Sequence, residues 1–229
     1  MIMENVVQPT EKGKMNVRKN SDPAAVAGRS DIADAKTLVA KRLFDILVAL
    51  VGMIVFSPLY IISYIAIKIE DGGAAIFHQE RVGYRGKVFT LRKFRSMSES
   101  AEADGKPALC SENDQRLTSV GKFLREHHLD ELPQLINVLR GDMSIVGYRP
   151  ERPYFVEKIM TIDPNYELLY LQRPGLFSYA TLYNGYTDTM EKMLERLRMD
   201  LDYCRNRTMW TDIKIIYLTT VSILTGKKF

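Results

Sequence analysis

Hydrophobic positions fall along this chain in distinct regimes. Residues 1–36 are polar and aperiodic, with no stretch able to bury a face, so they read as a flexible tail with room for a short helix near its end. From Ile46 to Ile67 the sequence ILVALVGMIVFSPLYIISYIAI then runs 22 residues without a charge. As a straight helix it would reach ~33 Å, enough to span a bilayer core of ~30 Å. A soluble core helix is rarely apolar on all faces for that length, so the pattern predicts a membrane-embedded segment. The run starts too late and is too long for a secretory signal.

Embedding and crossing are separate expectations. Ser57-Pro58 falls mid-run, where the missing N–H and the ring clash favour a sharp bend. Each arm is then about eleven residues or ~17 Å, roughly half a bilayer. Both flanks are basic: Lys36, Lys41 and Arg42 before, then Lys68, Arg81, Arg85, Lys87, Arg92, Lys93 and Arg95 after. If positive charge stays inside, both ends face the cytoplasm, which a re-entrant hairpin satisfies. The competing reading is a spanning helix with a proline kink.

Beyond the run the periodicity changes. FHQERVGYRGKVFTLRKFRSM (77–97) reads as a hairpin, with Gly83 and Gly86 marking the turn and Val88, Phe89, Leu91 and Phe94 at strand-type apolar positions. Residues 98–114 (SESAEADGKPALCSEND) are acidic and loop-like, a candidate mobile flap. In the stretch 116–150, Thr118 or Ser119 can cap a helix carrying Val120, Phe123 and Leu124. A second helix carries Leu132, Leu135, Ile136 and Leu139, with Pro133 in its first turn and Gly141 closing it. The fold expected is helix-rich α+β. It is divided into the tail (1–36), a helix-break-helix anchor (37–69) and a catalytic domain (70–229), with helices along the membrane face.

Composition narrows the partners. Lys and Arg total 32 against 28 Asp and Glu, a net charge of +4. That is weak for a dedicated nucleic-acid binder, so no nucleic acid is expected. Cys110 and Cys204 lack metal-ligand spacing and fit a reducing compartment, with a disulfide the less favoured reading. The cationic stretch 81–95 suits anionic lipid, at about 1 kcal/mol per basic residue near the surface. It equally suits phosphates, to which Arg offers a planar fork.

The candidate chemistry lies in HHLDELPQL (127–135), where Asp130 and Glu131 are adjacent. In a strand they would point to opposite faces and share no centre. At a helix start they are only ~100° apart, so one carboxylate can face a substrate while the other holds a cation. The helix N-terminus would also favour a phosphate beside Arg125. The plain alternative is that acidic residues at a helix start only answer the macrodipole. His127 and His128 have no third transition-metal ligand nearby and read as surface or packing residues.

KRLFDILVALVGMIVFSPL, QERVGYRGKVFTLRKFRSM, LREHHLDELPQLINVLRGDMSIVGYRPERP and RPGL occur in this order. Together they resemble the bacterial sugar transferases, the monotopic phosphoglycosyl transferases, in their small form, from about residue 37 to the C-terminus. The resemblance implies transfer of a sugar 1-phosphate from a UDP-sugar to polyprenyl (undecaprenyl) phosphate at the cytoplasmic face of the bacterial inner membrane, releasing UMP. It makes Asp130 the nucleophile that forms an acyl-phosphate, and Glu131 a ligand of Mg²⁺. It has Arg125 either stabilise the phosphates or tie the core to the membrane helix, places Lys93 and Arg95 near the site, and puts Asp142, Ser144 and Arg149 in a loop beside the nucleotide. Ser57 and Pro58 match the break of the family's re-entrant helix. The bottom-up chemistry agrees, since an oxygen-loving ion held by one carboxylate and substrate oxygens is the usual Mg²⁺ arrangement. A covalent step predicts ping-pong kinetics.

One stretch departs from the family. RPGLFSYATLYNGY (Arg173–Tyr186) stands where a KPGxTGWAQVNGR-like segment is common. Arg173, Pro174, Gly175, Asn184 and Gly185 persist, but Tyr186 replaces the usual arginine, which alters one phosphate or sugar contact and marks a candidate change of sugar preference. Near the C-terminus, Trp210, Ile213, Ile216, Tyr217 and Leu218 suit either a membrane interface or the core. Two rival functions remain: a two-carboxylate hydrolase, disfavoured because adjacent residues seldom reach the ~5 Å separation a glycosidase needs, and a non-catalytic membrane scaffold. The sugar, the pathway and the oligomeric state are open at this level.

Overall fold

A computed structural model describes residues 35–98, 101, 114–185 and 187–225. The tail up to residue 34, Cys110, Tyr186 and nearly all of the 98–114 flap lie outside the described residues. The chain divides between Ile32 and Ala33, and every described residue belongs to the second unit.

Two helices, α1 (Ala35–Val55) and α2 (Ser57–Asp71), meet at a 61° bend. The bend falls where Pro58 has no N–H to return to the Ile54 carbonyl. The Ser57 hydroxyl donates to that carbonyl instead, at 2.8 Å. No single described helix is long and apolar enough to cross a membrane, whereas the bent pair together passes on length and composition. The pair is two-faced. Lys41, Asp45 and Ala49, spaced i, i+4, i+8, are buried toward the protein, while Leu43, Leu47, Ile54, Ile61, Ile62 and Ile69 are exposed. An exposed apolar surface of this extent marks a contact with lipid or protein.

The hairpin is present as expected. β1 (Ile76–Val82) pairs antiparallel with β2 (Val88–Phe94), from Ile76 opposite Phe94 to Val82 opposite Val88. A 3-10 turn, Tyr84–Gly86, joins them. Phe94 is buried with Ile67, Ala75 and Leu124, and its ring meets Tyr60 at 4.8 Å, fastening the hairpin to α2.

α3 (Ser119–Glu126) is capped by Thr118, whose hydroxyl accepts from the Gly121 N–H at 2.9 Å. Gly121 lies so close to the Ser96 carbonyl that a Cβ there would sit 2.0 Å from it. α4 (Gln134–Arg140) ends at Gly141 in the left-handed region, φ 89°. Asn137 ties α4 to β2, accepting from the Arg92 N–H at 3.1 Å and donating to the Thr90 carbonyl at 2.8 Å. β3 (Ser144–Val146) pairs in parallel with β4 (Gly175–Phe177). Between them run α5 (Pro153–Ile162) and a 3-10 segment, Pro164–Leu171. α6 (Tyr179–Asn184), α7 (Met190–Asn206) and α8 (Met209–Leu224) complete the described chain. The fold is therefore the helix-rich α+β expected.

One buried ionic knot joins distant elements. Asp45 accepts from Lys41 at 2.7 Å, from the Ser144 hydroxyl at 2.8 Å and from the Ile145 N–H at 3.1 Å. Lys41 also pairs with Asp212 of α8 at 3.1 Å, and Tyr203 of α7 donates to Asp212 at 2.6 Å. Around it Ala49, Leu91, Leu135, Val138, Met143, Ile145, Tyr203 and Ile215 form the main core. On α8, Ile215 is buried and Ile216 packs against the core, while Trp210, Ile213 and Tyr217 are exposed. The two readings of that helix thus divide between its faces.

Candidate active site

The chain reaches the carboxylate pair through a local break. α3 closes at His127, and His128 takes the left-handed conformation, φ 54°. Leu129–Glu131 then make one 3-10 turn, which places Asp130 and Glu131 ~120° apart. Here the structure corrects the expectation that both sit in the first turn of the following α-helix. Pro133 has no N–H to give the Leu129 carbonyl, and the Leu132 N–H takes it instead at 3.2 Å. α4 begins only at Gln134.

Asp130 is buried and Glu131 half-buried. Arg149, which follows β3, donates from Nη2 to Glu131 Oε1 at 2.8 Å. Burial raises the Asp130 carboxyl to about 6, and the neighbouring Glu131 charge adds to this, against the pull of Lys93, Arg125 and Arg149. Burial also works to raise Glu131, but the Arg149 charge and hydrogen bond outweigh it and hold that carboxyl below its ordinary value. His128 is lowered by burial and by Arg149, Arg125 and His127, against Glu131. The two adjacent acids are thereby pushed apart: Asp130 holds its proton more tightly than usual and Glu131 stays anionic. Lys93 stands on β2 with its ammonium 5.3 Å from the Phe77 ring centroid.

The remaining sequence candidates go elsewhere. Arg95 pairs with Asp71 at the end of α2 and fastens the hairpin to the bent pair. Ser144 is buried with its hydroxyl on Asp45, so it anchors β3 to α1 instead of facing a nucleotide. Asp142 accepts from Asn137 at 3.1 Å at the far end of α4. Arg173 is at that same end, its Nε donating to the Gly141 carbonyl at 2.9 Å. Seven helical residues, ~10 Å of rise, separate this end of α4 from the carboxylate end. The family-derived set is thus split between the two ends of one short helix and two structural anchors.

Sequence reasoning missed three participants. Arg42, read only as a basic flank, donates to the Val138 and Leu139 carbonyls at 2.7 and 3.0 Å and caps α4. Asp45, the knot's centre, carried one legible signal: a lone carboxylate four residues after Lys41 suits an i, i+4 pair. Asp200, buried on α7, accepts from the Ser178 hydroxyl at 2.9 Å and the Arg149 N–H at 3.3 Å, so it holds the backbone that presents Arg149. Burial raises its carboxyl to about 7, against Arg196, Ser178 and Arg149.

Comparison with known proteins identifies the family. The bacterial sugar transferase family matches residues 36–226, and the chain belongs to that family. It is 38% identical over 186 residues to a UDP-N-acetylgalactosamine-undecaprenyl-phosphate N-acetylgalactosaminephosphotransferase of Aeromonas hydrophila, across 81% of this chain and 44% of that protein. It is 43% identical over 184 residues to a UDP-glucose:undecaprenyl-phosphate glucose-1-phosphate transferase of Klebsiella pneumoniae, across 80% of this chain and 39% of that protein. A protein of the same name from Caulobacter vibrioides is 40% identical over 188 residues, 81% of this chain and 70% of its own length. The chain thus spans about two fifths of the first two relatives' length.

Proposed function

We propose that this chain transfers a sugar 1-phosphate from a UDP-sugar to undecaprenyl phosphate, releasing UMP, with Asp130 as nucleophile. The observation that carries the reading is a buried carboxylate, Asp130, set beside an anionic Glu131 and within the fields of Lys93, Arg125 and Arg149. Three cations around one nucleophile suit a substrate bearing two phosphates. The names of the relatives point to the same substrate classes.

In the first half-reaction an Asp130 oxygen attacks the sugar-bearing phosphorus. A new P–O bond forms to the carboxylate, the bridging P–O bond breaks and UMP leaves. In the second, a phosphate oxygen of the lipid attacks that phosphorus and the bond to Asp130 breaks, leaving polyprenyl-diphosphate-sugar and a free carboxylate. Splitting the exchange lets a soluble donor and a lipid acceptor use one site in turn. Lys93, Arg125 and Arg149 hold the phosphate oxygens and balance their charge. Among the described residues no cluster of three acidic, histidine or cysteine side chains encloses a metal. The oxygen-only pair of Asp130 and Glu131 fits a Mg²⁺ ion that takes its other ligands from phosphate and water. Held by Glu131, it would supply further charge neutralisation at the diphosphate.

The bent pair α1–α2 is the membrane anchor in this reading, entering and leaving on the cytoplasmic face of the bacterial inner membrane. Its exposed apolar surface and basic flanks support that topology. The test is UMP release by detergent-extracted protein from a panel of UDP-sugars with Mg²⁺, with and without undecaprenyl phosphate. Without lipid, a burst of one UMP per chain is expected, with the phosphosugar recovered on Asp130. Continuous lipid-independent release of sugar would make the protein a hydrolase, and silence across the panel would leave a scaffold.

A further inference from the structure

At the end of α4 remote from the carboxylates, two guanidinium groups flank one aromatic ring and a third caps the helix beside them. The Tyr84 ring has the Arg85 guanidinium carbon 5.0 Å from its centroid and the Arg173 carbon at 5.1 Å. Arg173 is fixed there by its bond to the Gly141 carbonyl, and Arg42 reaches the same end of α4 from α1. Arg42 and Arg173 feel each other's charge, and an added Cβ on Gly141 would lie 3.5 Å from Arg42 Nη2. Among the described residues none of the three arginines forms an ion pair. Asp45 and Asp142 attract Arg42, each more weakly than Arg173 repels it.

The turn that presents Arg85 is itself unusual. Arg85 adopts φ 58°, a left-handed conformation that costs energy for a residue with a Cβ and that Asn or Gly would hold more readily. An exposed arginine kept at such a position, with a second arginine against the same ring, suits an anionic counterpart. Arg faces of this kind match phosphate oxygens. The surroundings add a second requirement. Leu38 and Val39 lie one turn before Arg42 on the same side of α1, and both are exposed. The ligand is therefore an anion joined to something apolar.

We propose that Arg85 and Arg173, which flank Tyr84, together with Arg42 at the same end of α4, form a second phosphate site that takes the headgroup of a lipid. It is separate from the carboxylate pair and does not depend on the transfer reaction assigned to that pair. Free phosphate and a lipid phosphate share the oxyanion chemistry, and the apolar strip on α1 selects the lipid.

The test is native mass spectrometry of the full detergent-solubilised chain with phosphatidic acid, using diacylglycerol as the uncharged control and inorganic phosphate as the headgroup alone. Phosphatidic acid should bind at least tenfold more tightly than diacylglycerol. Arg85→Asn suits the left-handed backbone, so it should keep or raise the unfolding temperature while weakening phosphatidic acid tenfold or more. Asp130→Asn should bind phosphatidic acid like the parent, even where it abolishes UMP release, so the two assignments fail separately. Unchanged phosphatidic acid binding in Arg85→Asn overturns the site. Displacement of the lipid by inorganic phosphate at equal concentration overturns its assignment to a lipid.

Discussion

Arg149 reaches across from the end of β3 to hold Glu131 at 2.8 Å, while the adjacent Asp130 is buried and among the described residues has no such ion pair. One arginine thus decides which of two neighbouring acids stays charged. Removing it with Arg149→Ala should lower UMP release by about 10²–10³-fold, the scale of losing one fixed donor at a reacting phosphate. Arg149→Lys keeps the charge but not the fork, and should cost about tenfold. Steady-state kinetics with a fixed UDP-sugar reads both.

Asp130 must be ionised to attack, and its proton leaves near pH 6. Single-turnover UMP release should rise with pH, reach half its maximum near that value and level off above pH 7. A flat profile between pH 5 and 7.5 would remove Asp130 from the step.

The same burial has a stability consequence. The folded chain binds the Asp130 proton more tightly than the unfolded chain, whose carboxyl titrates near 4. The destabilisation is absent below that value and grows as pH rises through about 6, where the buried group must charge. Asp130→Asn should therefore stabilise the protein by about 2–3 kcal/mol at pH 8 and by little at pH 4. Paired thermal melts at the two pH values check the sign.

What the sequence revealed was what neighbours in the chain decide. The Gly83–Gly86 turn, the Thr118 cap, the Gly141 stop and the bend at Pro58 each follow from a residue's own backbone chemistry. The 3-10 turn at the carboxylates belongs to the same class, because Pro133 dictates it, yet the longer helical period concealed it. The placement of Ser144, Arg95 and Arg42 was not legible. Their partners, Asp45, Asp71 and the carbonyls of Val138 and Leu139, are 24 to 99 positions away. Nothing in the local pattern distinguishes an arginine that grips a phosphate from one that caps a helix.

The Lys41 knot gives a prediction about folding. Lys41→Met leaves Asp45 and Asp212 as buried carboxylates without their cation, at a cost of ~3–5 kcal/mol. Adding Asp45→Asn and Asp212→Asn to that variant should recover much of the loss, since no uncompensated charge then remains. Denaturant melts of the single and triple variants separate a charge effect from a packing effect.

Pro58 leaves the Ile54 carbonyl without its donor in the helix ladder, and the Ser57 hydroxyl donates to it instead. Changing both to alanine restores the N–H that Pro58 lacks, so the backbone bond can re-form and the 61° bend relax. A straightened run of ~33 Å is long enough to cross, and one basic flank would then have to leave the side on which the proposed topology keeps both. With Cys110 and Cys204 replaced by serine and alanine and a cysteine placed at Ser21, a membrane-impermeant thiol reagent reports the outcome in intact cells. The parent should stay unlabelled, and the Ser57→Ala, Pro58→Ala variant should label in part. Labelling of the parent would mean that the bent pair crosses the membrane, and the cytoplasmic placement of both flanks would fall with it.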